Sequence, residues 1–421
     1  MSITSSATMK KKKNISHDWR YYLGLVIMSF CFSWLSPLIT SLFYVNNIIE
    51  PFLVIGCLLV LRSDEVLQKA VYSVAFSSAF KVIFFAITIF AILGALRGDG
   101  VLAFVYADYR SNLIFVFLIF LFNSKLWSPE EKLKFIVAVM VLIALMDSLT
   151  LMLRPFLVLN KEDTKEPVSI VAPAILSIYY LRKDKFKYAF FFFAVLTFEA
   201  AMGFFRNYYL ITLITGFAIL ILIVGNLVNG NRRTKLNSML LLGVIVLGVT
   251  IASPIVYNYW MSDESRMIHS VNRSVEFFSG EDEEKERMGS IQVVISRSDL
   301  LIVPHGLGWR SFTVDIAREF KDFNIISSMD SCIFYVGFHY GILILVCLLI
   351  YLCMVIGKFL RYNYGSNEVF PKWIKCIFLM FFLFSLLTQS VMFTMPQAAF
   401  VYALLFYLVL QQVKINQGLE V

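Results

Sequence analysis

An all-α, polytopic integral membrane protein is the fold class this sequence predicts, and three observations carry the prediction. Of its 421 residues, 59% are hydrophobic and 16% charged. A soluble domain is about 45–50% apolar and roughly 25% charged, so there are too few charges here to cover a water-facing surface. Second, apolar runs of about 18 residues or more, enough for a helix to cross hydrocarbon, recur along the chain, and the mean hydropathy is +0.75. Third, the alternating segments of roughly ten residues that build a transmembrane β-barrel do not occur.

The chain opens on MSITSSATMKKKKNISHDWR, a basic stretch followed by an apolar run without a small-residue cleavage site. That pattern reads as a retained first span rather than a signal peptide. Spans are expected at 21–40, 43–61, 75–96, 108–124, 134–153, 168–181, 188–205, 207–225, 238–258, 331–356, 374–392 and 398–412. These make about twelve transmembrane helices, an even number that leaves both termini on one side.

Cationic connectors mark the cytoplasmic side. With the N-terminus cytoplasmic, Lys10 to Lys13, Arg20, Arg62, Lys69, Lys125, Lys132, Lys134, the RKDKFK run at 182–187, Arg232, Arg233, Lys235, Lys358, Arg361, Lys372, Lys375 and Lys414 all fall inside. The short outer connectors carry few cations: Arg97, Arg154, Lys161, Lys165 and Arg206. The net charge of +8 is therefore an orientation signal and not a nucleic-acid footprint.

The whole chain, 1–421, reads as a single membrane domain, with the polar stretch 259–330 as one large outer loop. Long loops escape the charge bias, so its many charges do not disturb the orientation. The acidic run EDEEKE at 281–286 reads as a solvated loop tip, and 154–167 as a second, shorter outer loop. The semi-polar segment RGDGVLAFVYADYR at 97–110 suits a re-entrant or interfacial path, since irregular backbone survives at depth where protein covers it. The six cysteines have neither CxxC nor CxxH spacing, which supports neither a metal site nor a disulfide framework.

Charges within spans are functional candidates by default. Glu199 and Arg206 are seven residues apart, two turns on one helix face. Arg206 is either an anion-binding group at a cavity mouth, supported by Glu199, or a helix-end arginine reaching headgroups. Lys81 suits snorkelling. Asp147 suits either a polar contact between helices or a cavity. Arg97, Asp108 and Arg110 cluster at the semi-polar segment, where two arginines could grip a phosphate bidentately or anchor the interface.

The outer loop ends on SRSDLLIVPHGLGWRSF at 296–312. Pro304, Gly306 and Gly308 predict a tight turn with exposed backbone. Arg297 and Arg310 flank it, offering guanidinium donors to an anion, and His305 within it is a candidate general base. His339 lies in a span and suits packing rather than catalysis. Asp330 opens the next span, either as a helix cap or as a carboxylate facing the same cavity as the arginines.

In these residues the chain resembles the O-antigen polymerase and ligase superfamily of Gram-negative inner membranes, and within it the polymerase (Wzy) group. Arg297 and Gly308 reproduce an Arg-x10-Gly pattern described for polymerase outer loops. The GLGW turn, Asp330 and the FHYGIL span are also similar, as is FFRNYYLITLITG, with its arginine at the start of a span. The earlier outer loop has Arg154 but a lysine at 165, so a second such repeat is absent. Asp330, Ser331 and Gly341 keep the spacing of a ligase pattern with aspartate in place of its histidine, which favours polymerase over ligase.

The resemblance implies a GT-C-like fold whose large loop is periplasmic, and a multi-pass protein of the bacterial inner membrane with cytoplasmic termini. It implies glycosyl transfer between undecaprenyl-pyrophosphate-linked oligosaccharides in lipopolysaccharide biosynthesis, with membrane lipid around it and a chain-length regulator of the Wzz type as partner. Arg206, Arg297, Arg310, Arg97 and Arg110 would bind substrate pyrophosphate, and His305 or Asp330 would orient or deprotonate the acceptor. No metal-ligand cluster occurs in the outer loops, so no cofactor and no metal are expected. A polysaccharide-lipid flippase, by contrast, would favour short connectors and repeat symmetry.

Overall fold

The computed structural model describes residues 18–43, 49–97, 102–153, 170–203, 206–230, 232, 234–243, 298–308, 332–361, 369–388 and 395–410. The regular structure among them is helical. In chain order the helices are α1 (Trp19–Cys31), α2 (Leu35–Phe43), α3 (Ile49–Ser63), α4 (Glu65–Ala75), α5 (Ser78–Arg97), α6 (Leu102–Asn123), α7 (Pro129–Leu153), α8 (Val171–Arg182), α9 (Phe186–Gly203), α10 (Arg206–Asn229), α11 (Asp299–Ile302), α12 (Cys332–Tyr340), α13 (Ile342–Arg361), α14 (Lys372–Thr388) and α15 (Pro396–Leu410). Among the described residues, five helical segments are long and apolar enough to cross a membrane: Ser78–Arg97, Leu102–Asn123, Pro129–Leu153, Leu210–Val228 and Ile342–Arg361. The protein is a helical membrane protein.

Local chemistry sets the helix ends. The Asp64 carboxylate accepts the Val66 and Leu67 N–H groups at 3.0 and 2.9 Å, an N-cap that starts α4, a helix the sequence reading did not foresee. Ser128 and Glu131 form a reciprocal capping box before α7, with Pro129 in the first position, where its missing N–H costs nothing. Lys132, buried at that end, donates Nζ to Phe122 O and Ser124 O at 2.7 and 2.6 Å. It thereby satisfies carbonyls that the end of α6 would otherwise leave bare.

Three expected segments take a different form. The span 21–40 is two helices, broken at Phe32–Trp34, where the Ser33 and Ser36 hydroxyls bond to the Phe30 and Ser33 carbonyls. The span 331–356 is broken at Gly341, whose φ of +86° terminates α12 in the left-handed conformation glycine adopts freely. Residues 98–101 lie outside the described residues, while the segment expected to be irregular is helical over residues 102–110, which are the first turns of α6. Their polar side chains tolerate this depth because Asp108, Ser111 and Asn112, at i, i+3 and i+4, are buried against protein.

The core sits around two short apolar helices. Nearly every residue of α8 and of α15 is buried; α7, α9 and α10 surround α8, while α6 and α14 pack on α15. By contrast α5 and α13 show large apolar side chains outward, among them Phe85, Ile89, Leu96, Leu343 and Ile350. A helix that is apolar yet exposed has lipid as its solvent.

Candidate functional site

Residues 305–308 dock between α5, α6 and α12. Four consecutive backbone N–H groups find acceptors on those helices. His305 donates to Phe338 O at 2.8 Å, Gly306 to His339 O at 3.2 Å and Leu307 to Phe90 O at 2.9 Å. Gly308 donates to the Asp108 carboxylate at 3.0 Å. The Phe338 and His339 carbonyls are available because α12 stops at Tyr340, leaving its last carbonyls without a following turn. Thus the Gly341 break supplies the acceptors that the turn uses.

Glycine is required on both sides of this contact. A Cβ on Gly94 of α5 would lie 1.9 Å from Leu307 O, and one on Gly306 would lie 2.2 Å from Gly94 N. Gly306 and Gly308 also hold φ values of +90° and +121°, which disfavour side chains.

Around the turn, polar groups are shared. Tyr335 Oη donates to Asp108 Oδ2 at 3.2 Å, and Asn112 Nδ2 donates to Tyr335 Oη at 3.1 Å. His339 Nδ1 bonds Gly306 O, which fixes the proton on Nδ1 because a carbonyl can only accept. The rings of His305 and His339 meet edge to face, with centroids 5.7 Å apart.

His305 is itself buried, with Nδ1 3.3 Å from Gly306 O. A proton on Nδ1 leaves Nε2 as the basic nitrogen, so any general-base role falls to that atom.

The two arginines read as a phosphate fork engage different partners. Arg97, exposed at the end of α5, donates Nη1 to Val303 O and Pro304 O at 3.2 and 2.7 Å, bracing the turn from outside. Arg110 pairs with Glu50 of α3 and lies over the Tyr106 ring, 5.7 Å from its centroid.

Arg297, Arg310 and Asp330 lie outside the described residues, as do 1–17, the loop at 154–167 and the acidic run at 281–286. Arg206 begins α10, its side chain undescribed, whereas Glu199 belongs to α9. The expected relation of two turns along one helix face does not hold, because the chain between them leaves one helix and starts another. Glu199 instead accepts the Ser148 hydroxyl of α7 at 3.0 Å. Asp147 beside it accepts the Trp34 N–H at 2.7 Å, a polar contact between helices. Among the described residues no group of three or more potential ligands could hold a metal ion.

No protein-family model, curated protein or solved structure matches this chain.

Sequence reasoning missed Gly94, Asn112 and Tyr335 as parts of the site, and placed Asp108 only in an arginine cluster. The i, i+3, i+4 spacing of Asp108, Ser111 and Asn112 was the available signal. A polar stripe of that kind on an apolar helix needs a polar partner, and the turn at 304–308 is that partner.

Proposed function

We propose that this protein is an O-antigen polymerase of the bacterial inner membrane, joining undecaprenyl-pyrophosphate-linked oligosaccharide repeat units at the periplasmic face. One observation carries the reading: the Arg297-x10-Gly308 pattern at the end of the large outer loop, in a helical membrane protein where Gly308 is fixed to Asp108. The motif ends on a glycine that is buried and docked on a helix, and Arg297 and Arg310 flank it in the sequence as candidate ligands for a lipid-linked pyrophosphate. About twelve spans, a GT-C-like arrangement and cytoplasmic termini belong to the same proposal.

In the reaction an acceptor hydroxyl attacks the anomeric carbon of the growing chain. The bond from that carbon to the pyrophosphate oxygen breaks and its electron pair leaves with the undecaprenyl pyrophosphate. Arg206, Arg297 and Arg310 stabilise the developing charge on the leaving group. The hydroxyl proton passes to His305 Nε2 or to Asp330. Arg97 reaches the site chiefly by holding the turn, and the Arg110–Glu50 pair would have to open to meet a phosphate.

The Asp330-Ser331-x9-Gly341 spacing keeps O-antigen ligase as a second reading. Comparing the lipopolysaccharide ladder of a deletion strain with its parent separates the two. Core plus a single repeat unit is the expected result. Bare core with polymer accumulating on undecaprenyl pyrophosphate would select the ligase, and an unchanged ladder would remove O-antigen assembly altogether.

A further inference from the structure

A second polar cluster lies away from the docked turn, where α7, α9 and the α1–α2 break meet. Glu199 of α9 is fully buried. Its Oε1 accepts the Ser148 hydroxyl at 3.0 Å, and its Oε2 has no hydrogen-bond partner. Asp147, adjacent to Ser148 and also fully buried, accepts the Trp34 N–H at 2.7 Å at the start of α2. Two buried carboxyl groups thus lie at neighbouring positions where α7 meets α9, and one of their oxygens has no hydrogen-bond partner.

The other elements packed on α9 supply no described cation at this end. Helix α8 carries Tyr179, Tyr180 and Arg182 toward the opposite end of α9, where the Tyr180 ring stacks on Phe192 at 5.6 Å. Helix α10 places Tyr208 near this end, buried. The described ion pairs, Arg20–Asp18 and Arg110–Glu50, involve neither carboxyl group of the cluster.

A bare carboxylate oxygen in such surroundings is among the most costly groups to bury, and two neighbouring carboxylates compound the cost. A small positive occupant relieves both. A proton is the occupant that fits, because the described cluster offers too few oxygens to replace the shell of a metal cation, which takes about six.

We propose that Glu199 Oε2 is a proton-binding position, and that Asp147, Ser148 and Glu199 form an intramembrane protonation site. The site does not depend on the polymerase reading: it stands on the helix-packing geometry, and its test reads no glycosyl transfer.

The chemistry of such a site is specific. A protonated carboxylic acid adds across the N=C=N bond of a carbodiimide, its proton passing to nitrogen and the carboxylate oxygen to carbon. The O-acylisourea then rearranges to a stable N-acylurea, with nothing lost. An apolar carbodiimide reaches a buried acid of this kind, whereas a water-soluble cationic one does not.

The experiment treats the full-length protein, in native membranes, with dicyclohexylcarbodiimide and maps the adduct by mass spectrometry. The expected result is a single adduct at Glu199, absent with the water-soluble reagent, reduced at high pH, and lost in Glu199→Gln. The infrared carbonyl stretch of a protonated carboxylic acid should likewise be present in the wild type and lost in Glu199→Gln. Glu199→Asp, which keeps the acid but shortens its reach, should retain a weaker adduct and shows that loss in the amide variant is not misfolding. Absence of both adduct and infrared band in folded wild-type protein would overturn the proposal. So would protection of Glu199 by sodium, which would assign the position to a metal cation.

Discussion

The turn at 303–308 and the carboxyl cluster around Glu199 both set polar groups among apolar helices, and they deal with desolvation in different ways. In the turn, four successive N–H groups are matched to acceptors on three helices. The acceptors are two carbonyls at a helix end, the Phe90 carbonyl within α5 and a carboxylate that also receives a tyrosine hydroxyl. In the cluster, one carboxylate oxygen is left over. The backbone of the turn resembles the hydrogen-bonding of secondary structure continued through side chains, and its role is to hold a loop. The cluster, by contrast, leaves open an oxygen of a carboxyl group, the atom on which the proposed proton site rests. Buried polar groups therefore divide by whether their bonds close, not by how many there are.

Substitutions can break this contrast, beginning with the largest effect. Gly94→Val should prevent docking of the turn, since even a Cβ there meets Leu307 O at 1.9 Å. A cost of about 3 kcal/mol or more is expected for forced overpacking, read as loss of monodisperse protein in detergent. Normal behaviour of this variant would mean that the turn is not seated on α5.

Asp108→Ala leaves the Gly308 N–H and the Tyr335 hydroxyl without their shared acceptor and should cost about 1–3 kcal/mol in the unfolding midpoint. Tyr335→Phe should cost about 1 kcal/mol. Because one carboxylate serves both donors, the double variant should lose less than the two single effects added together. Additive losses would show that the two bonds are independent.

Glu199→Gln marks the other half of the comparison. Replacing an acid that lacks a second partner by an amide should shift the thermal midpoint by less than half as much as Asp108→Ala does. A larger loss from Glu199→Gln would mean that the cluster is as structural as the turn.

The smallest effect belongs to Arg97→Ala. Its guanidinium is exposed and braces two carbonyls from outside, so a change within about 1 kcal/mol is expected. Lipopolysaccharide chain length in the same strain sharpens the result. A shortened ladder without a stability change would give Arg97 a direct contact with substrate rather than a bracing one.

The membrane class was legible from composition, and the turn from Pro304, Gly306 and Gly308, because both signals are local. Which apolar helices face protein was not legible. Helix α13 is strongly apolar and mostly exposed, whereas α15, equally apolar to the eye, is almost wholly enclosed. Lipid and protein interior are alike to a hydropathy scale, so the distinction arises from packing. Helix breaks were hidden for a related reason. The break at Trp34 depends on Asp147, more than a hundred residues away, and no window along the sequence sees such a partner. Arg110 looked available because Glu50 is equally remote in sequence.

Lys132 carries a consequence for biogenesis. In the folded protein its ammonium group is enclosed, held by the Phe122 and Ser124 carbonyls and facing the Tyr407 ring at 5.6 Å. A charge so enclosed cannot interact with the membrane surface. Whatever it contributes to orienting α7 must act while the chain is being inserted, before α15, which carries Tyr407, has been synthesised. Any topological signal from this side chain thus precedes its role as a fastening, and the order of synthesis keeps the two apart.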